Sequence, residues 1–220
     1  MPGRFRYSIA AICIVCLNVL HPFVSSAQTY SFRTYDEYTG LPGPWLSVIA
    51  QDRSGLLWMG VDTGLYRYDG FSFHHMPFPD TLPRGNVSAL FCDRKGTMWV
   101  GMNDGSLFTW NMTGGLERMT LEESDRINRI TGSPDGKVWI VTQTSGIFIA
   151  GSGGDEKITR MKMPDDMTLF DIAFAGEGIF LAATQNNLHL CDAEGDKAVS
   201  RLTFPELDYT WIQTVVRMDD

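Results

Sequence analysis

One unit of about forty residues recurs along this chain, and nothing else in the sequence narrows its possible folds as far. Trp58, Trp99, Trp139 and Phe180 follow one another at intervals of 41, 40 and 41 residues. Each sits in a related stretch: QDRSGLLWMG from Gln51, CDRKGTMWVG from Cys92, GSPDGKVWIV from Gly132 and AFAGEGIFLA from Ala173. Short apolar runs divided by Gly and Asp at this period mark an array of small all-β units, each burying its faces against its neighbours. No eleven-residue window after the first thirty residues holds a helical period.

One unit reads as four strands. In the first, Leu46–Gln51 is an inner strand, the Asp52 to Gly55 turn follows, and Leu56–Val61 carries the tryptophan. Asp62-Thr63-Gly64 connects to Leu65–Tyr68, and Asp69-Gly70 reads as a two-residue hairpin turn into an outer strand from Phe71 to Met76. The expected fold is an all-β β-propeller. It has four four-stranded blades at 46–76, 87–119, 127–161 and 168–204, with the start of a fifth at 211–220. Residues 28–45 are expected to form an outer strand and its lead-in, because TYSFRTYDEYTGLP aligns with GFSFHHMPFPDTLP at an offset of 41. An outer strand without its blade, and an inner strand just begun at Trp211, together predict an incomplete ring with exposed edges. The recurrent aromatics, Trp58, Trp99, Trp139 and Phe180, are read as blade packing, each burying about 150–250 Å².

The first 27 residues stand apart. Arg4 and Arg6 precede an apolar run from Ser8 to Leu20, and Ser25-Ser26-Ala27 supply small residues before Gln28. That is the pattern of a cleaved secretory signal peptide, and the run falls short of the roughly 20 residues of a spanning helix. The expected location is therefore the periplasm. Of the four cysteines only Cys92 and Cys191 follow the leader, too few for a disulfide scaffold.

Charge excludes one class of partner. The 220 residues carry 18 Lys and Arg against 26 Asp and Glu, a net −8, whereas a nucleic-acid binder needs a basic footprint. Catalytic groups are sparse as well. The histidines after the leader are His74, His75 and His189, and the adjacent pair on one strand points to opposite faces. The Asp52 and Asp93 turns each offer one carboxylate where Ca²⁺ takes six to eight oxygens. No enzyme activity, no metal and no cofactor are expected.

FRTYDEYTGLP from Phe32, followed by QDRSGLLWMGVDTGLYRYDG from Gln51, resembles the two-component regulator propeller repeats of periplasmic sensor domains of hybrid two-component histidine kinases, Bacteroidetes type. The third unit departs from that pattern with Ser133 for the turn Asp and Val141 for the Gly after Trp139; the fourth lacks the Trp and the turn Gly. The resemblance implies the N-terminal ligand-sensing part of a signalling receptor. Further propeller, membrane and kinase domains would lie downstream, and the full-length receptor would act as a homodimer.

Two sets of connections should emerge on one face, opposite the Asp turns. From them Trp45, Asp62, Arg84, Asn103, Asp104, Arg126, Asn128, Gln143, Asn186 and Trp211 are the candidate ligand contacts. Amides, a few charges and aromatics on rigid loops suit a small polar ligand such as an oligosaccharide. Two other classes fit the same architecture: a propeller enzyme resembling the streptogramin lyases, and a surface scaffold that binds another protein.

Overall fold

Short runs rich in β-branched and aromatic residues, cut by turn residues every five or six positions, leave the backbone few options but hairpins. The computed structural model describes residues 32–78, 86–111, 115–123, 125–151, 157–164, 167–194, 197–207 and 212–216. The leader and its cleavage site, Arg84, Trp211 and the last four residues lie outside these.

Among the described residues the chain forms four antiparallel sheets, each of four consecutive strands in sequence order. The first blade holds β1 (Leu46–Gln51), β2 (Leu57–Val61), β3 (Gly64–Tyr68) and β4 (Phe73–Met76). The second holds β5 (Val87–Cys92), β6 (Met98–Met102), β7 (Leu107–Asn111) and β8 (Gly115–Met119). The third holds β9 (Ile127–Gly132), β10 (Val138–Thr142), β11 (Ile147–Ala150) and β12 (Thr159–Met161). The fourth holds β13 (Leu169–Gly176), β14 (Ile179–Thr184), β15 (Leu188–Glu194) and β16 (Lys197–Thr203). Inner strand packs on inner strand from β1 to β5, β5 to β9 and β9 to β13, with no comparable packing of β13 on β1. The blades therefore form an open arc and do not close into a ring.

Each joint between blades is one apolar cluster. Trp58 packs with Val87, Leu90 and Phe108 of the second blade; Trp99 packs with Ile127, Ile130 and Phe148 of the third; Trp139 packs with Leu169 and Ile172 of the fourth. In the first two joints close approach requires a glycine two residues after the tryptophan. A Cβ on Gly60 would stand 2.7 Å from Val87 Cβ, and one on Gly101 2.6 Å from Ile127 Cγ2. The first blade shows what a joint does. Ile130 is 2% exposed, whereas Ile49, at the same position of β1 with no blade before it among the described residues, is 53% exposed.

Three local readings need correcting. The β3–β4 turn is the four residues Asp69 to Ser72, so β4 starts at Phe73; the Asp69 carboxylate accepts from Phe71 N and Ser72 N, both at 2.8 Å, and holds the longer loop closed. Those bonds and His74 hold the Asp69 carboxyl well below its ordinary value. Residues 32–45 contain no strand. Asp36 instead caps a 3-10 turn at Glu37–Thr39 that ends on left-handed Gly40, and Tyr35 sets its hydroxyl 2.7 Å from that of Tyr68.

The third correction is one of register. Ala50 pairs with Trp58, Phe91 with Trp99 and Thr131 with Trp139, and the matching pair in the fourth blade is Ala173 with Leu181. Leu181, not Phe180, stands where the tryptophans stand. Phe180 is one position earlier on the opposite face of β14; it points back toward the third blade and meets Trp139 edge-on at 5.3 Å. Residues 212–216, the described part of the expected fifth blade, form no strand, and Asp171 of β13 holds them through Thr214 Oγ1 at 2.7 Å and Val215 N at 3.1 Å.

Candidate functional site

The loop face is organised by one hydrogen bond repeated in every blade. The residue after the second strand donates its N–H to the carbonyl of the residue before the first: Asp62 to Trp45 at 3.3 Å, Asn103 to Asn86 at 3.1 Å, Gln143 to Arg126 at 2.9 Å and Gln185 to Thr168 at 3.1 Å. The strand-two to strand-three connection and the incoming connection of each blade are thereby tied together on one end. Trp45, Asp62, Asn103, Asp104, Arg126 and Asn186 all present exposed side chains there, and Gln143 is half-buried. Trp45 is the most open of the tryptophans described, at 74% exposure.

Asn128 differs from the rest of this set. Its amide donates to Leu169 O at 2.6 Å across the third joint, as Ser47 Oγ donates to Val87 O at 2.6 Å across the first. The side chain binds blade to blade.

Side chains stiffen the loops from below. Asp104 accepts from Ser106 N at 2.9 Å, and Thr184 donates to Asn187 O at 2.8 Å. Asp125 reaches across to Thr144 N at 2.6 Å and Ser145 N at 2.8 Å. Partial burial pushes the Asp125 carboxyl up, but the bonds from Thr144 and Ser145 outweigh it and leave the pKa lowered.

Between the loops of the third and fourth blades lies a cavity of about 440 Å³. Thr144, Ser145 and Thr168 line it with Arg160 and Lys162. Arg160 is fixed: Nε donates to Ser145 O at 2.7 Å, Nη1 pairs with Glu123, and the guanidinium lies 5.9 Å from the Phe148 ring centre. The Ser145 hydroxyl and then Arg160 draw the Glu123 carboxyl below its usual range. Sequence reasoning did not single out Arg160 or Lys162. Outer strands vary in sequence from blade to blade, and only the antiparallel course of β12 brings its end to this face.

The opposite face carries the Asp turns. Asp52 accepts from Ser54 N, Leu56 N and, at 2.8 Å, from Trp58 Nε1; Asp93 does the same with Lys95 N, Thr97 N and, at 2.9 Å, Trp99 Nε1. The turn acid is thus the hydrogen-bond partner of the buried indole as well as a turn former, a role that spacing alone did not reveal. The arginine after the second turn straps two blades together, with Arg94 Nη2 donating to Pro134 O at 3.1 Å.

The histidines and cysteines are dispersed. His74 Nε2 meets Asp69 Oδ2 at 2.9 Å, the His75 ring lies tilted against Tyr66 with centres 4.9 Å apart, and His189 Nδ1 lies 3.4 Å from Ser200 Oγ. Cys92 and Cys191 are free, and burial, with the Asp192 charge, pushes the Cys191 thiol up to about 11. Among the described residues no three His, Cys, Asp or Glu side chains gather as a metal would need, and no helix is long and apolar enough to cross a membrane.

Residues 81–104 match the two component regulator propeller family. No curated protein is significantly similar to the chain. Among solved structures, the extracellular domain of a hybrid two component system from B. thetaiotaomicron is 17% identical with a TM-score of 0.64, the match covering 77% of this chain and 26% of that one. Virginiamycin B lyase from Staphylococcus aureus is 15% identical with a TM-score of 0.63, over 75% of this chain and 58% of the lyase. PorZ, a surface component of the type-IX secretion system of Porphyromonas gingivalis, is 17% identical with a TM-score of 0.56, over 72% of this chain and 27% of PorZ. The chain thus spans less than two thirds of each of these structures, and at such identities the likeness establishes the fold. Residues 81–104, which include β5, Trp99 and β6, are therefore a two-component regulator propeller repeat, set in an open arc of blades built on the same forty-residue unit.

Proposed function

We propose that this chain is the ligand-sensing propeller portion of an extracytoplasmic two-component sensor, and that its loop face takes a polar ligand such as an oligosaccharide. The observation that carries the reading is the regulator propeller repeat at residues 81–104. Its chemistry rests on the loop face. Asn103, Gln143 and Asn186 offer amides to hydroxyl groups, Trp45 offers a flat apolar ring to the C–H face of a sugar, and the loops bearing them are fixed by backbone and carboxylate bonds. Export by the leader at residues 1–27 belongs to this reading, as do output domains in a longer receptor.

A sensor needs no reacting group. Lyase chemistry of the kind named for the S. aureus neighbour would need a general base able to reach a bound substrate.

The test is a fluorescence titration of the chain with a panel of neutral and acidic oligosaccharides, since Trp45 is exposed enough to report contact. At least one should shift the emission. The Trp45→Ala and Arg126→Ala double variant should lose that response with an unchanged melting temperature. Silence across the panel, or an unaltered response in the double variant, would remove the loop face as the site.

A further inference from the structure

Three cations from three consecutive blades meet at one pocket on the turn face. Arg53 and Arg94 hold the same place in the first and second turns. Each reaches forward to the turn of the next blade: Arg53 Cδ stands 3.8 Å from where a Cβ on Gly96 would lie, and Arg94 Nη1 stands 3.1 Å from where one on Gly136 would lie. Lys137 closes the third turn, which keeps the backbone of the others without their acid. Ser133 N donates to Lys137 O at 2.9 Å and Gly136 N to Ser133 O at 3.0 Å, against 2.9 and 3.1 Å in the Asp93 turn. Arg53, Arg94 and Lys137 all line a pocket of about 210 Å³ between the second and third blades, and Phe91, Gly132 and Val138 give it an apolar wall. Gly132 makes room for the Phe91 ring, since a Cβ there would stand 2.8 Å from Phe91 Cζ.

The acids nearby are committed elsewhere. Asp52 and Asp93 each accept two backbone N–H groups and an indole N–H within their own turns. Asp135 accepts from the Ser133 hydroxyl and pairs with Lys137 Nζ at 3.0 Å. Arg94 has only a neutral partner, Pro134 O, and the Arg53 guanidinium makes no hydrogen bond or ion pair among the described residues. Two guanidinium groups therefore line one pocket without a counter-charge of their own, in a chain whose net charge is −8. We propose that this pocket binds a tetrahedral dianion: inorganic sulfate, inorganic phosphate or the phosphate group of a monoester. Arg53 and Arg94 present N–H groups in rigid forks to its oxygens, and Lys137 adds a third donor from the next blade. A tetrahedral group offers oxygens in three directions, which suits donors arriving from three blades better than a planar carboxylate does. The rest of a monoester would lie outside the pocket, over the turn face. This site is independent of the loop-face reading.

The experiment titrates the ¹⁵N-labelled full chain at pH 7.5 with sodium sulfate, sodium phosphate, glucose 6-phosphate or sodium acetate, with sodium chloride holding the ionic strength constant. The Nε–H resonances of Arg53 and Arg94 and the amide resonances of Gly96, Gly132 and Gly136 should move and saturate with sulfate and phosphate in the millimolar range. Acetate, with half the charge, should need about tenfold more. Saturation by glucose 6-phosphate as well assigns the site to phosphate monoesters, and saturation by the inorganic ions alone assigns it to free ions. Arg53→Gln removes a side chain that bonds to nothing else, so it should leave the melting temperature in chloride unchanged while weakening sulfate binding about tenfold. Lys137→Gln should weaken binding in the same direction and keeps the proposal testable if Arg53→Gln fails to fold. Lys197→Gln takes the same charge from the fourth blade and should leave binding as it was. No saturable movement with either ion, acetate as effective as sulfate, undiminished binding in Arg53→Gln, or an equal loss in Lys197→Gln would overturn the proposal.

Discussion

The second and third blades are built on the same hairpin, and the residue that opens the turn is Asp93 in one and Ser133 in the other. In the second, Asp93 satisfies two backbone N–H groups and the Trp99 indole at once, so a 3% exposed carboxylate and a fully buried tryptophan stabilise each other. In the third, Ser133 holds the turn shut through Lys137 O but leaves the Trp139 N–H unmatched. The backbone of the turn survives loss of the acid. What the acid adds is polar satisfaction of the tryptophan, and that separates turn formation from ring anchoring, two roles that one Asp combines.

The contrast is open to attack, most sharply at Asp93. Asp93→Ala strands the Lys95 and Thr97 amides and the Trp99 indole together, and should cost about 3 kcal/mol, whereas Ser133→Ala should cost about 1 kcal/mol. Urea unfolding of the two variants reads the difference; equal losses would mean that the carboxylate does no more than shape the turn. A smaller effect is expected at the rings themselves. Trp99→Phe leaves Asp93 without its indole donor and should lower stability by about 1–2 kcal/mol, while Trp139→Phe removes an unmatched N–H and should be close to neutral. If both cost the same, the N–H groups are not what distinguishes the blades.

The smallest expected effect is on acid stability. Burial pushes the Asp52 carboxyl up, but bonds from Ser54, Trp58 and Leu56 outweigh it, so its pKa in the folded chain lies below the ordinary 3.8. A lowered folded value stabilises the fold above pH 3.8 and is lost as the pH falls through the folded pKa. Asp52→Asn should therefore flatten the drop in urea midpoint between pH 5 and 2.5. An unchanged slope would count against the bonds seen at Asp52.

A good part of the architecture was legible because it is written in local chemistry. The bounds of β1, β5 and β6 follow from apolar runs cut by Asp, Gly and Asn. The burial of Trp58, Trp99 and Trp139 follows from their period. Where local chemistry was richer than expected, reading failed: Asp69 closes a four-residue loop that its Asp-Gly pair alone does not announce.

By itself, then, the sequence determined the unit, its four strands and the end of each blade where loops or turns emerge, since all of these depend on residues within about forty positions of one another. Only the tertiary structure decided which faces are filled and by what. A period-2 strand defines two faces without saying which one meets a neighbour, so an aromatic at the right interval, Phe180, passed for the blade tryptophan until the pairing of Ala173 with Leu181 showed it on the opposite face. The same holds for Asn128, drawn into a joint by a carbonyl 41 residues away, and for Arg160 and Lys162, brought to the loop face by the course of an outer strand. Joints between blades are contacts across a full repeat, and their outcome rests on the combined shape of two sheets, which no local pattern encodes.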